Sequence, residues 1–207
     1  MNNALVIIIV SGTAFILFAF TYSPSPDYES SGYTMPAATA VAHVRQQPLQ
    51  SKARDKTPFF FEEYIISPLA DFQISARVLS RKNYWMGRES DLSPVDFALG
   101  WGRMSELDVL ETVSISQSNR WYYWQTPQYP IPRHEIESNS ANMHMIPAND
   151  DIKDQLADID EGDNVMIKGQ LVRVDAKDGW HWVSSLSRHD TGDKACELVY
   201  VTDIVQL

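Results

Sequence analysis

A run of 19 residues without one charged side chain, Ala4 to Tyr22 (ALVIIIVSGTAFILFAFTY), sets the terms for everything after it. At 1.5 Å rise per residue a helix through this run spans roughly 28 Å, about the hydrocarbon thickness of a bilayer. A buried core helix is the weaker explanation, because the run is apolar on every face and precedes any partner. A cleaved signal peptide is the other alternative. The run lacks a basic n-region, exceeds the usual 7–15 apolar residues and is followed by no small-x-small site. No cysteine follows it closely, which excludes bacterial lipidation. The reading is an uncleaved single-pass anchor, with the lipid bilayer as a partner through residues 4–22. A short-tailed N-terminal anchor by default leaves its N-terminus inside. That places the rest of the chain on the periplasmic side of an inner (cytoplasmic) membrane. Arg45, Lys52, Arg54 and Lys56 lie mostly too far beyond Tyr22 to reverse that default.

Residues 23–57 are rich in Ser, Pro, Ala and Gln and offer little to bury, so they read as a flexible tether. Charge divides sharply at its end. Residues 1–56 carry four basic and three acidic groups, net +1, so −11 of the chain's −10 falls on residues 57–207. A strongly acidic domain lacks the concentrated basic face of a nucleic-acid backbone binder, and no nucleic-acid partner is expected. The single cysteine, Cys196, excludes an internal disulfide framework and any multi-cysteine metal site.

From Phe59 the texture turns aromatic and β-branched. Phe72, Ile74, Ala76 and Val78 alternate with Gln73, Ser75 and Arg77, the period of a half-buried strand. LSPVDFALGWGRM predicts a short helix, with Ser93 as N-cap, Pro94 in the first turn and Gly100 and Gly102 as stops. DVLETVSISQ and RWYYWQ predict strands, and the proline-rich QTPQYPIPRHEIE a loop or extended edge. A second short helix is expected where Ile152, Leu156 and Ile159 repeat at i, i+4 and i+7 behind an acidic N-terminus. In GDNVMIKGQLVRVD the apolar phase slips by one residue just after Gly169, which predicts a bulge or barrel bend there. Lys177-Asp178-Gly179 makes a hairpin turn, and ACELVYVTDIVQL closes the chain as strand. The fold class is therefore α+β: a transmembrane helix (1–22), a tether (23–57) and a β-rich domain (58–207). Its sheet is expected to be partly barrel-like, of the OB or SH3 kind, with two short helices.

The strings YWMGRESDLSPVDFALGWGRM, SQSNRWYYW, SANMHMIPA and SSLSRHDTGDKACELVYV resemble those of an uncharacterised family of bacterial membrane-anchored proteins. The resemblance covers roughly residues 70–205 and implies one recurring domain. It implies no activity, cofactor or catalytic residue.

Three groups of residues carry candidate chemistry. The polar stretch 180–197 holds His181, Arg188, His189, Asp190, Cys196 and Glu197. Two histidines with two acids are possible ligands for a divalent metal, yet their spacing matches no metal motif. A hairpin loop with Asp190 and Thr191 in turn hydrogen bonds explains the same composition, and no metal is assigned. Cys196 with His144 or His189 would be a nucleophile and base, but Cys196 heads an apolar strand, where a lone cysteine behaves as a small hydrophobe. Ser184 and Ser185 lack the G-x-S-x-G elbow of a serine hydrolase. Arg120, Trp121 and Tyr123, in the aromatic run 121–124, form the third group. Such side chains bind sugars, peptides or bases by stacking and cation–π contact. Alternation sends Trp121 and Tyr123 one way and Tyr122 and Trp124 the other, so one pair belongs to the core. Asn142 and His144 share a face if SANMHMIPA is extended, although loop hydrogen bonding is the plainer role. The ligand-binding set is thus Arg120, Trp121, Tyr123, His144, His181, Arg188, His189 and Asp190, with no cofactor. The function expected is a binding or scaffolding module with a protein or small-ligand partner. A small hydrolase or metal-dependent enzyme using residues 181–197 is the alternative.

Overall fold

One strand organises the domain: β3, Tyr64–Asn83, the segment of longest apolar alternation. The structure, a computed structural model, describes residues 43–187 and 195–207. The expected anchor at 4–22 lies outside them, and among the described residues no helix is long and apolar enough to cross a membrane. Drawn straight, the 20 residues of β3 would span roughly 66 Å at 3.3 Å each. Register shifts between Pro68 and Ala70 and between Val78 and Ser80 bend it instead. The bent strand reaches two partners. Ile65–Arg77 pairs antiparallel with β8 (Asn164–Asp175), and Arg77–Asn83 pairs antiparallel with β4 (Val95–Gly100).

From β4 the sheet continues to β7 (Ser140–Pro147), antiparallel, then to β10 (Glu197–Gln206), parallel, and from β10 back to β8, antiparallel. The five strands close a ring in the order β3–β4–β7–β10–β8. The interior is filled by alternate residues of each strand, among them Phe72, Ile74, Phe97, Leu99, Met143, Met145, Ile167 and Val199. Helix α4 (Asp150–Ala157) adds Ile152 and Leu156 to that core, joined by Ile159 just beyond it. Asn149 caps it, its Oδ1 accepting from the Ile152 N–H at 2.9 Å, and Asp150 and Asp151 occupy the first turn where the helix dipole favours acids. Short strands attach outside the ring: β1 (Leu49–Lys52) and β2 (Phe59–Phe61) on β3, and β9 (His181–Val183) on β8. A separate hairpin, β5 (Ser114–Ser118) and β6 (Trp121–Gln125), follows the short helix α2 (Leu107–Leu110) and precedes α3 (Arg133–Ser138).

Several expectations change on inspection. LSPVDFALGWGRM is not helical: Val95–Gly100 is β4, and the helix, α1, is Arg88–Leu92 just before it. All six β4 residues are buried, and a central strand covered on both faces loses the alternation that would have announced it. SANMHMIPA, read as loop, forms β7, where Asn142 and His144 alternate with Met143 and Met145. The phase slip in β8 is real, but the bulges lie in its neighbours, at Leu69 of β3 and Thr202 of β10. Leu171 points into the ring and the adjacent Val172 into a second apolar cluster outside it, so both faces of β8 are covered in turn. Gly169 serves a close approach. A Cβ there would overlap the Tyr200 carbonyl of β10. Phe59 and Phe61 stack edge-on against Tyr200, whereas Phe60 between them is 78% exposed. Within the stretch read as tether, β1 pairs with β3, Val44 is buried, and Gln47 bonds to Trp101 and Asn139.

Candidate functional site

Along β4, Val95, Phe97 and Leu99 face the ring's interior, which leaves Asp96 and Ala98 on the outer surface; along β7, Met143 and Met145 face in, and Asn142 and His144 face out. The register sets Asp96 opposite His144 and Ala98 opposite Asn142. Three polar side chains therefore stand together on the outside of two adjacent strands. The β5–β6 hairpin lies over this patch. Ile115, Tyr122 and Trp124 pack on the apolar cluster of Ala98, Met104 and Ile136, which leaves Trp121 36% and Tyr123 49% exposed on the far side. The hairpin's two-residue turn, Asn119-Arg120, has positive φ at both positions (53° and 69°), as a type I′ turn requires.

That turn delivers Arg120 to Asp96. The guanidinium Nη1 donates to Asp96 Oδ1 at 2.6 Å, and Asp96 has no exposed surface at all. His144 Nδ1 lies 2.9 Å from the same oxygen, close but off the line of a hydrogen bond. Asn142 Nδ2 donates to Asp96 Oδ2 at 3.4 Å and to the Arg120 carbonyl at 3.0 Å, while its Oδ1 accepts from Gln117 Nε2 at 2.6 Å. Aromatic rings close the remaining sides. Arg120 lies 3.7 Å above the Tyr84 ring and 5.7 Å from that of Trp182, and His144 packs 4.7 Å from Trp182. Burial, and then the Asp96 charge, push the Tyr84 phenol above its ordinary pKa, and its oxygen accepts from the Arg120 N–H at 3.1 Å. A buried carboxylate needs such compensation, since desolvating an unpaired charge costs several kcal/mol. The cluster acts as a clamp: it fixes the hairpin to the ring.

The clamped hairpin leaves a cleft of about 490 Å³ along β6. Ser140, Ala141 and Asn142 of β7 form part of its lining, together with Cys196 and Glu197 at the start of β10 and Ser187. Tyr122 borders it with its phenol anchored, donating to the Ser140 carbonyl at 3.2 Å and 3.1 Å from Ser140 Oγ; burial holds that phenol above its ordinary pKa. Cys196 Sγ approaches the Arg120 carbonyl at 3.9 Å, so the cleft wall and the clamp share one backbone group. Its volume is that of a small-ligand or peptide site.

Of the residues singled out from sequence, the structure brings Arg120 and His144 together through Asp96 and places Trp121 and Tyr123 at the cleft. His181 stands exposed on β9 opposite Asp175, and its neighbour Trp182 is the one that reaches the cluster. Arg188, His189 and Asp190 lie outside the described residues. Among the described residues no group of three His, Cys, Asp or Glu stands where it could hold a metal ion. Sequence reasoning passed over Asp96, Tyr84, Gln117 and Trp182. Asp96 did carry a signal, as the lone acid in an apolar run, VDFALG. Comparison with protein-family models, curated proteins and solved structures finds no match for the chain.

Proposed function

We propose that the chain is a membrane-anchored, extracytoplasmic binding module whose ring follows the OB-barrel plan and whose ligand occupies the cleft beside β6. Three features support the barrel assignment: the ring order β3–β4–β7–β10–β8, the parallel β7–β10 pair, and a helix, α4, between β7 and β8. Barrels of this plan take ligands on the face of their second and third strands and at the loops beside it. The corresponding strands here are β4 and β7. The observation that carries the reading is that the cleft of about 490 Å³ opens on β7, next to a clamp that spends a buried ion pair on holding the hairpin in place. The uncharged run at 4–22 supports the anchor.

Cys196 makes the reading testable, because the chain's single cysteine lines the cleft. Full-length protein in mild detergent is titrated by NMR with a panel of monosaccharides, nucleosides, amino acids and dipeptides. Binding that perturbs Tyr122 and Asn142, and that is lost after alkylating Cys196 but kept in Cys196→Ser, is the expected result. Ligands that map away from the cleft, or binding indifferent to alkylation, would remove it.

A further inference from the structure

The hairpin presents an unsatisfied strand edge to the cleft. In a type I′ hairpin the residues flanking the turn, here Ser118 and Trp121, exchange main-chain hydrogen bonds, and bonded and non-bonded pairs then alternate along the ladder. Trp121, Tyr123 and Gln125 are thereby paired to β5. Tyr122 and Trp124 direct their N–H and C=O groups the other way. Among the described residues β6 has no second strand partner, and no main-chain hydrogen bond satisfies the outward groups of Tyr122 and Trp124. All five β6 residues line the cleft, from both faces of the strand, which is the signature of an edge rather than a face.

Resting on the binding-module reading, we propose that the cleft takes an extended polypeptide segment, which adds to β6 as a third strand through the main chain of Tyr122 and Trp124. A strand presents the complementary alternating donors and acceptors, which small neutral ligands do not. Side-chain preferences follow from the walls. Residues of the peptide that point towards Ser140 and Asn142 are small or polar, while those on the other face lie beside Trp121 and Tyr123 and suit apolar or cationic groups. Arg133 is already paired with Glu137 at 2.8 Å, and with a chain charge of −10 the site selects a neutral or basic peptide over an acidic one. An unpaired edge is a hazard in a protein without a use for it. Here the edge lines the cleft, beside the clamp that fixes the hairpin to the ring.

The test uses the full-length chain in mild detergent and the tightest linear heptapeptide selected against it from a random displayed library. N-methylation at alternate peptide residues is expected to weaken binding by about tenfold per methyl group in one register. The intervening positions should tolerate the same change. Amide exchange of Tyr122 and Trp124 should slow on binding, with Trp121 and Tyr123 unaffected because the hairpin already pairs them. Peptides that bind the cleft, are blocked by alkylated Cys196 and yet ignore N-methylation in both registers would overturn strand addition while leaving the binding module intact. Failure to select any peptide overturns the proposal as well. If the small-molecule panel also leaves the cleft untouched, the binding-module reading falls with it. Pairing of β6 with β6 of a second copy, seen as a dimer whose formation protects the same two amides, would likewise exclude a foreign peptide.

Discussion

Arg120, on a hairpin turn, places its guanidinium 2.6 Å from Asp96, a carboxylate wholly buried on the outer face of β4. The two are 24 residues apart in sequence and belong to different sheets. Removing only the cation strands a buried charge. Arg120→Met should therefore cost about 3–5 kcal/mol. Adding Asp96→Asn should restore part of that loss, giving a coupling of about 1–3 kcal/mol in a double-mutant cycle. Chemical denaturation followed by tryptophan fluorescence measures both. A single Arg120→Met cost under about 1 kcal/mol would mean the pair is not desolvated as described.

Gly169 is expected to resist substitution. Strand propensity alone favours valine there by up to about 1 kcal/mol. The Tyr200 carbonyl occupies the space that a Cβ needs, so Gly169→Val should instead destabilise by about 1–3 kcal/mol, as overpacking does. Gly169→Ala should already show most of the loss, since the first carbon makes the collision. A raised denaturation midpoint in either variant would contradict the backbone crossing.

Trimming the N-terminus should have a sharp threshold. Trp101 is fully buried and its Nε1–H donates to Gln47 Oε1 at 3.0 Å; Gln47 in turn donates to Asn139 Oδ1 at 2.7 Å. A chain beginning at His43 keeps these bonds, β1 and the buried Val44. One beginning at Thr57 leaves the indole donor without its partner, which costs about 1–3 kcal/mol, and exposes apolar area besides. Comparing the midpoints of the two truncations locates the domain's start. Equal midpoints would return residues 43–56 to the tether.

Acid should loosen the turn between β8 and β9 in a defined order. The Arg88 guanidinium, 2.6 Å away, is the main reason the Asp178 carboxyl titrates below its ordinary 3.8, with the Trp180 N–H second. A carboxylate depressed in the folded state stabilises fully above its ordinary value and loses that contribution as pH falls through the depressed one. Stability from this pair is therefore constant near neutrality and declines only in acid below about pH 4. In Arg88→Met the Asp178 midpoint should rise towards 3.8. Carboxyl-carbon NMR titration reads it directly, and an unmoved midpoint would assign the depression to the turn's backbone alone.

How much of this was legible in the chain depended on which faces are wet. β3 and α4 have one buried side, and their alternation and i, i+4, i+7 spacing announced them. β4 is covered on both sides, so its period 2 was blurred, and the proline and glycines around it suggested a helix. β7 kept its alternation, Asn142 and His144 against Met143 and Met145, but its polar residues were read as loop hydrogen-bonding groups. β1 escaped for the reason opposite to that of β4. All four of its side chains are exposed and its backbone pairing to β3 places it, which composition cannot register. The aromatic hairpin and its division into inner and outer pairs followed from local pattern. The clamp did not, because Asp96 meets Arg120 and His144 only once β4, β7 and the turn have been assembled.

The parallel pair β7–β10 has a consequence for how the protein is made. β10 is the last of the ring's strands to be synthesised, and it is the strand that bridges β7 and β8 in the sheet. Until it emerges, those two strands stand with open edges and the core has no lid on that side. Long-range pairing of this kind folds slowly and leaves apolar edges exposed meanwhile. A nascent chain halted before Glu197 thus exposes two open strand edges, and a stop between Glu197 and Val201 cuts into the pairing with β7 that closes the ring rather than trimming its end.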